Sequence, residues 1–124
     1  MNRLPALSYN ETTFAAVGQY PGVALIRFHA PWCAACSNNS PAFESAVSTL
    51  PPAVLAGDVN VLQAPVLADK YQVRGLPNTL VFYHGQEIAR LYGPHTAAEY
   101  IAAIEQALNA QRIKMLDTGE HTVQ

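Results

Sequence analysis

The chain has 124 residues, half of them hydrophobic, with seven basic and nine acidic residues and a net charge of −2 at pH 7. This length suits a single domain, and the hydrophobic content excludes a disordered chain. The small negative charge, with no run of Lys or Arg, argues against nucleic acid or an anionic membrane as a partner. No apolar stretch approaches the roughly 18 residues of a membrane-spanning helix.

The N-terminal segment lacks the pattern of a secretory signal. It carries one cation, Arg3, and has no long apolar run before Glu11. A signal needs such a run directly after its basic region. We therefore expect a cytoplasmic protein, while a chain from which a signal had been removed would show the same pattern.

Apolar patterning predicts alternating helices and strands in the first half of the chain. Ser8 and Glu11 form a capping pair that predicts a short helix to about Val17. The next predicted elements are a strand Val23–His29, a helix Cys33–Leu50 kinked at Pro41, a strand Ala53–Asn60 and a helix Ala64–Tyr71. The first of these strands is apolar throughout except for Arg27, which indicates a sheet covered on both faces.

The second half predicts a hairpin and a closing helix. Strands Thr79–His84 and Glu87–Tyr92 flank a turn at Gly85-Gln86. Thr96 and Glu99 form a second capping pair, and the apolar residues behind them share one helix face: Tyr100, Ile101, Ile104 and Leu108. A domain of residues 1–110 is predicted to be followed by a frayed tail, residues 111–124. The order of elements predicts an α/β fold with helices on both faces of a central mixed sheet.

The only cysteines, Cys33 and Cys36, open the long predicted helix directly after a strand. A CxxC at such a junction is typical of a redox dithiol. The spacing lets the two sulfurs bond, and the unpaired N–H groups of the helix start favour a thiolate. Because the thiolate is the species that attacks disulfides, Cys33 is predicted as the nucleophile and Cys36 as the resolving thiol.

Two other interpretations of the cysteine pair stay open: inert buried thiols, or half of a zinc site. Zinc would need two more ligands, and the four histidines lack the H-x3–5-H spacing of zinc sites. His29, on the strand that leads to the pair, is interpreted either as a proton shuttle or as a partly buried strand-end residue. His84 and His95 are predicted to be solvated loop residues.

Several motifs at fixed spacing carry a family resemblance. Ala30-Pro31-Trp32-Cys33-Ala34-Ala35-Cys36 is similar to the A-x-W-C-G-P-C signature, and further matches are Pro41, Arg74-Gly75-Leu76-Pro77, Phe82-Tyr83-His84-Gly85 and Gly93. On these motifs, residues 8–110 resemble the thioredoxin family. The resemblance implies the thioredoxin fold and a cis bond before Pro77. It also implies a substrate groove formed by Trp32, Leu76, Pro77 and Gly93.

The chain departs from the family pattern around the cysteines. Ala34-Ala35 replaces Gly-Pro, and His29 replaces an aromatic residue. Arg27 stands where the family has a buried aspartate, and Asp58 where it has the accompanying lysine. We predict that Arg27 and Asp58 form a buried or half-buried ion pair, because an uncompensated charge in a core strand is costly. Unless Asp58 cancels its field, Arg27 should favour the Cys33 thiolate and make the disulfide more oxidising.

The resemblance implies a protein disulfide oxidoreductase that carries electrons between thiols, without an organic cofactor or a metal. Its expected partners are protein disulfide substrates and a recharging reductase, and we expect a monomer. The alternative is a binding module or accessory subunit that uses the groove to hold a partner protein. Cys33→Ser separates the two functions, because only the oxidoreductase needs the thiol.

Overall fold

The computed structural model describes residue 3 and residues 5–123. Its elements are β1 (Leu7–Tyr9), α1 (Ala15–Gly18), β2 (Val23–His29), α2 (Ala34–Thr49), β3 (Leu55–Asn60), α3 (Pro65–Lys70), β4 (Asn78–Tyr83), β5 (Gln86–Tyr92) and α4 (Ala97–Val123). The strands form one sheet in the order β1-β3-β2-β4-β5. β1, β3 and β2 are parallel, whereas β4 and β5 are antiparallel to their neighbours. The predicted mixed sheet is confirmed.

Helices cover both faces of this sheet. α2 and α4 pack on one face through a cluster that includes Phe43, Tyr100 and Ile104. The loop before α1, together with α1 and α3, packs on the other face through a cluster that includes Phe14 and Leu67. The six β2 residues from Val23 to Phe28 are all buried, which explains why this strand is apolar at successive positions. In the described part of the chain, none of the helices has the length and hydropathy of a membrane span.

The predicted short helix is present as α1, which ends at Gly18, but its predicted start at Ser8 is wrong. Residues Leu7–Tyr9 form β1, and Ser8 lies in register with Asp58 of β3. Asn10 instead caps the turn that precedes α1, since its Oδ1 accepts hydrogen bonds from the N–H groups of Thr12 and Thr13 at 2.9 and 3.0 Å. Glu11 accepts a hydrogen bond from the N–H of Val66, at the start of α3, so it does not complete a capping box.

Two further boundaries differ from the prediction. The hairpin turn is His84-Gly85 rather than Gly85-Gln86, and both residues have positive φ, 51° and 75°. Positive φ at both central residues defines the type I′ turn, whose twist suits a two-residue hairpin. The segment predicted as a frayed tail is helical, because α4 continues to Val123. Its Gln, Arg, Lys, Met and Leu residues are strong helix formers, which outweighs its mixed polarity.

The predicted capping box at the start of α4 is confirmed. The N–H of Thr96 donates to Glu99 Oε1 at 2.9 Å, and the N–H of Glu99 donates to Thr96 Oγ1 at 3.1 Å. The bond from Thr96, with a weaker contribution from His95, lowers the pKa of Glu99 below its ordinary value of 4.5. The carboxylate therefore stabilises the folded chain above that value, and the stabilisation is lost as the pH falls through the lowered pKa.

Glu99→Gln is consequently expected to be slightly less stable than the wild type at neutral pH, since the amide lacks the charge that strengthens the bond from the Thr96 N–H. At a pH well below the lowered pKa of Glu99 the two proteins should unfold at the same urea concentration, because a protonated Glu99 resembles Gln. Urea titrations at both pH values measure the difference. A stability difference that persists unchanged in acid would contradict this role for the carboxylate.

Candidate active site

The two cysteines lie at the start of α2, as predicted, and are joined as a disulfide. Cys33 is the N-cap of the helix, and its Sγ accepts a hydrogen bond from the N–H of Cys36 at 3.1 Å. The first sulfur therefore faces the positive end of the helix, where backbone N–H groups stabilise a thiolate. Both cysteines are buried, with 7% of Cys33 and 3% of Cys36 exposed.

A groove of about 600 Å³ gives access to the disulfide from one side. Trp32, Cys33, Arg74 and Leu76 line it, so the residues at the start of α2 and the loop before β4 meet here. Trp32 is 67% exposed, although exposed tryptophan is unusual in a folded chain. An exposed aromatic side chain beside a cleft is typical of a surface that contacts another molecule.

The loop before β4 forms the border of this groove. The bond between Leu76 and Pro77 is cis, as the resemblance implied. The N–H of Gly93 donates to the carbonyl of Pro77 at 2.9 Å, and Gly93 has a φ of 76°. Gly93 thus contacts the proline loop, but it does not line the groove that contains Trp32 and Cys33.

The side chain of Arg27 reaches from the centre of β2 to the first turn of α2. Its Nη2 donates to the carbonyl of Cys36 at 2.7 Å and to Asn39 Oδ1 at 3.3 Å. The guanidinium also lies over the Phe43 ring, 5.4 Å from its centroid, and the residue is 4% exposed. Its Nε is buried without a hydrogen-bond partner in the described structure. Arg27 therefore brings a positive charge into direct contact with the backbone of Cys36.

The predicted ion pair between Arg27 and Asp58 is wrong. The two residues are in register on adjacent parallel strands, yet no ion pair within the described residues joins them. Asp58 Oδ1 instead accepts from Ser8 Oγ at 2.8 Å and lies 3.2 Å from His29 Nε2. Asp58 and Arg27 therefore each have partners that the sequence pattern did not indicate. The oxygens that accept hydrogen bonds from Arg27, the Cys36 carbonyl and Asn39 Oδ1, are both neutral.

The remaining histidines do not assemble a metal site. Within residues 3 and 5–123, no three side chains of the His, Cys, Asp and Glu types converge on one point. His84 is exposed in the hairpin turn, in line with a solvated loop residue. His95 is not simply solvated, because its ring nitrogens lie 3.2 Å from Glu99 Oε1 and 3.0 Å from the carbonyl of Tyr92. His29 is a partly buried strand-end residue that contacts Asp58.

Sequence reasoning missed Asn39, which connects the site to the rest of the fold. Its amide contacts Arg27, the hydroxyl of Tyr100 and the carbonyl of His95. A signal was present in the helix periodicity. Asn39 lies three residues after Cys36 and four before Phe43, so a polar residue occupies the buried stripe of α2. A polar residue in such a stripe needs hydrogen-bond partners from the core.

Comparisons with known proteins agree with this geometry. The family model described as Thioredoxin matches residues 6–106. A thioredoxin from Chlamydia caviae is 34% identical over 85 residues, covering 68% of this chain and 82% of that protein. A protein disulfide-isomerase from Hordeum vulgare is 39% identical over 88 residues, covering 66% of this chain and 17% of the isomerase. The crystal structure of Malassezia sympodialis thioredoxin superposes with a TM-score of 0.77 at 27% identity, covering 86% of this chain and 94% of that one.

A mixed sheet covered by helices on both faces, with a CxxC disulfide at the start of α2, is the arrangement of the thioredoxin fold. The chain belongs to the thioredoxin family, because the family model spans most of its length. It spans 36% or less of the length of the longer relatives that it matches.

Proposed function

We propose that this chain catalyses thiol–disulfide exchange on protein substrates, with Cys33 as the nucleophile and Cys36 as the resolving thiol. The observation that carries the proposal is the Cys33–Cys36 disulfide, with Cys33 Sγ at the N-cap of α2 and beside an open groove. A structural disulfide would contribute little here, since a loop of this size removes little chain entropy. The thioredoxin and isomerase relatives support the same activity.

In the proposed reaction, the Cys33 thiolate attacks one sulfur of a substrate disulfide and the other substrate sulfur leaves as a thiolate. A mixed disulfide then joins Cys33 to the substrate. The Cys36 thiolate attacks Cys33 Sγ, which breaks the mixed disulfide and releases the second substrate thiolate. The substrate gains two electrons and two protons, and the chain is left with the Cys33–Cys36 disulfide. The reverse sequence oxidises a substrate dithiol.

Arg27 is proposed to support this reaction electrostatically. A guanidinium stays protonated inside proteins, so the buried Arg27 carries a full charge. Its contact with the Cys36 carbonyl places that charge at the back of the dithiol. A nearby cation favours a cysteine thiolate, which stabilises the reduced pair and makes the disulfide a stronger oxidant. Asp58, paired with Ser8 and His29, does not neutralise this charge directly.

Trp32 and Leu76 are proposed to bind the polypeptide around a substrate disulfide. Both line the groove that contains Cys33, and the groove is mainly apolar with Arg74 at its edge. Pro77 and Gly93 are proposed to shape the loop that borders it, which their hydrogen bond supports. An extended substrate segment beside this loop can pair with its backbone.

A recharging reductase and a cytoplasmic location are proposed as the setting for this chemistry. Net substrate reduction leaves the chain oxidised after each cycle, so a second dithiol must return two electrons. The cytoplasm keeps protein thiols reduced, in line with that direction of electron transport. One chain holds both cysteines, so a monomer is sufficient for the cycle.

The proposed activity is tested by mixing the chain with a disulfide-bonded protein and an excess of dithiothreitol. We expect reduction of the substrate well above the rate with dithiothreitol alone. The matched control is the same chain after reduction and alkylation of both cysteines, which should add nothing to the background rate. Equal rates for the native and alkylated chains would contradict the proposal.

A further inference from the structure

Both the oxygen and the nitrogen of the Asn39 side-chain amide form hydrogen bonds in the core beside the dithiol. Its Oδ1 accepts from Arg27 Nη2 at 3.3 Å and from the Tyr100 hydroxyl at 2.8 Å, and its Nδ2 donates to the His95 carbonyl at 2.8 Å. The residue is 6% exposed, and Tyr100 is fully buried. Arginine has no acceptor atom, so only the carbonyl end of the amide can face it. The orientation of Asn39 is therefore determined by its partners.

The contact with Asn39 directs Arg27 away from a charged partner. Arg27 and Asp58 are in register on β2 and β3, and neighbouring strands lie about 4.8 Å apart. Residues in register on parallel strands project from the same face of the sheet, so an ion pair is within reach of the arginine. The guanidinium nevertheless points to α2, where the Cys36 carbonyl and Asn39 Oδ1 accept its hydrogen bonds. Both acceptors are neutral, and among the described residues no carboxylate forms an ion pair with the guanidinium.

We propose that Asn39 is a positioning residue that holds the Arg27 guanidinium against the first turn of α2, without an ion-pair partner, and thereby strengthens the Cys33–Cys36 disulfide as an oxidant. The amide satisfies the guanidinium without neutralising it, which a carboxylate at the same place would do. The inference rests on the proposed function, since it concerns the redox equilibrium of the same pair. Asn39 would thus act on the redox equilibrium through Arg27, since its own hydrogen bonds in the described structure go to Arg27, Tyr100 and His95 and not to either sulfur.

The test is the equilibrium of the full chain with glutathione. Two glutathione thiols reduce the Cys33–Cys36 disulfide to the dithiol and become one glutathione disulfide. Asn39→Asp places a carboxylate that can still accept from Arg27 and Tyr100. We expect the equilibrium constant for reduction to fall about tenfold, equivalent to about 30 mV for this two-electron couple. The pKa of the reduced Cys33 thiol should rise in the same variant.

Two comparisons separate positioning from a general effect of charge. Asn38→Asp makes the same substitution at the exposed neighbouring position of α2, and we expect it to change the constant less than about twofold, because exposed charges are screened. In an Arg27→Gln background, Asn39→Asp should change the equilibrium constant for reduction much less than it does in the wild type. A buried carboxylate without the guanidinium becomes protonated and carries no charge.

An unchanged equilibrium constant in folded Asn39→Asp would overturn the proposal. The proposal would also be overturned if Asn39→Asp changed the equilibrium constant by the same factor in the wild type and in the Arg27→Gln variant. If Asn39→Asp does not fold, Asn39→Leu replaces it. Leu removes the acceptor, so the guanidinium can turn to Asp58, and the constant should fall at least about threefold; no change would overturn the proposal. A wild-type pair that does not exchange with glutathione would instead overturn the proposed function.

Discussion

Cys33→Ser is expected to abolish catalysed reduction of protein disulfides. The serine hydroxyl is not ionised at neutral pH and forms no disulfide, so neither the attack nor the mixed disulfide remains possible. The fold should survive, because the removed disulfide closes a loop of only a few residues. Turnover of a disulfide-bonded substrate with dithiothreitol measures the loss, and the circular dichroism spectrum provides the control for folding.

Cys36→Ser is the partner experiment and is expected to accumulate a substrate joined to Cys33. The first attack still occurs, but no second thiol of the chain releases the product. Non-reducing electrophoresis and peptide mass analysis identify the bond. A mixed disulfide through Cys36 in the Cys33→Ser variant, and none through Cys33 in Cys36→Ser, would reverse the roles of the two cysteines. Biological activity that survives Cys33→Ser would favour the binding-module alternative.

Arg27→Gln is expected to make the disulfide a weaker oxidant by tens of millivolts. The amide can still donate a hydrogen bond towards α2, but it removes the positive charge that contacts the Cys36 carbonyl. A cation close to a cysteine lowers the pKa of the thiol, so its loss should raise the pKa of Cys33 and destabilise the reduced pair. A tenfold change in the exchange equilibrium corresponds to about 30 mV, and we expect about 30–60 mV.

Arg27→Lys is the matched control for this prediction. Lysine keeps a positive charge at the same position of β2, although it lacks the planar fork of arginine. The reduction potential of the Lys variant should therefore lie closer to the wild type than that of the Gln variant. Equal potentials for Gln and wild type, with both proteins folded, would show that Arg27 has a structural role only.

The backbone around the site was largely predictable from the sequence. β2 is apolar except at Arg27 and its last residue, His29, and α2 begins at the CxxC that follows it. These patterns are strong because burial on both faces of a sheet and the geometry of a helix start each demand particular residue types. The prediction of a capping box at Thr96 and Glu99 was also correct, because the geometry of a helix start favours these residue types at this spacing.

Ser8 shows why a similar pattern can fail. Ser8 and Glu11 have the same spacing as Thr96 and Glu99, yet Ser8 lies in a strand and bonds to Asp58. A capping pair is a local signal, whereas pairing of β1 with β3 is a tertiary interaction between residues about 50 positions apart. Asn10 provides an alternative cap two residues later, so the strand can form without leaving the following turn uncapped.

The partners of Arg27 were beyond sequence reasoning for a different reason. The register of Arg27 with Asp58 follows from the strands, and it made an ion pair the natural expectation. Which acceptor a long side chain reaches depends on the helix packed above the sheet. Here α2 presents the Cys36 carbonyl and Asn39, and Asp58 is already engaged by Ser8 and His29.

The reduction potential of the wild-type Cys33–Cys36 pair, measured by equilibrium with glutathione and quantified by alkylation of the free thiols, is the most direct test of a redox role for this site. We predict a reversible two-electron couple with a potential above the roughly −270 mV of thioredoxin, because the Arg27 charge stabilises the reduced pair. A pair that does not exchange reversibly with glutathione would contradict the proposed chemistry. A reversible pair with a potential below that value would contradict the proposed effect of Arg27.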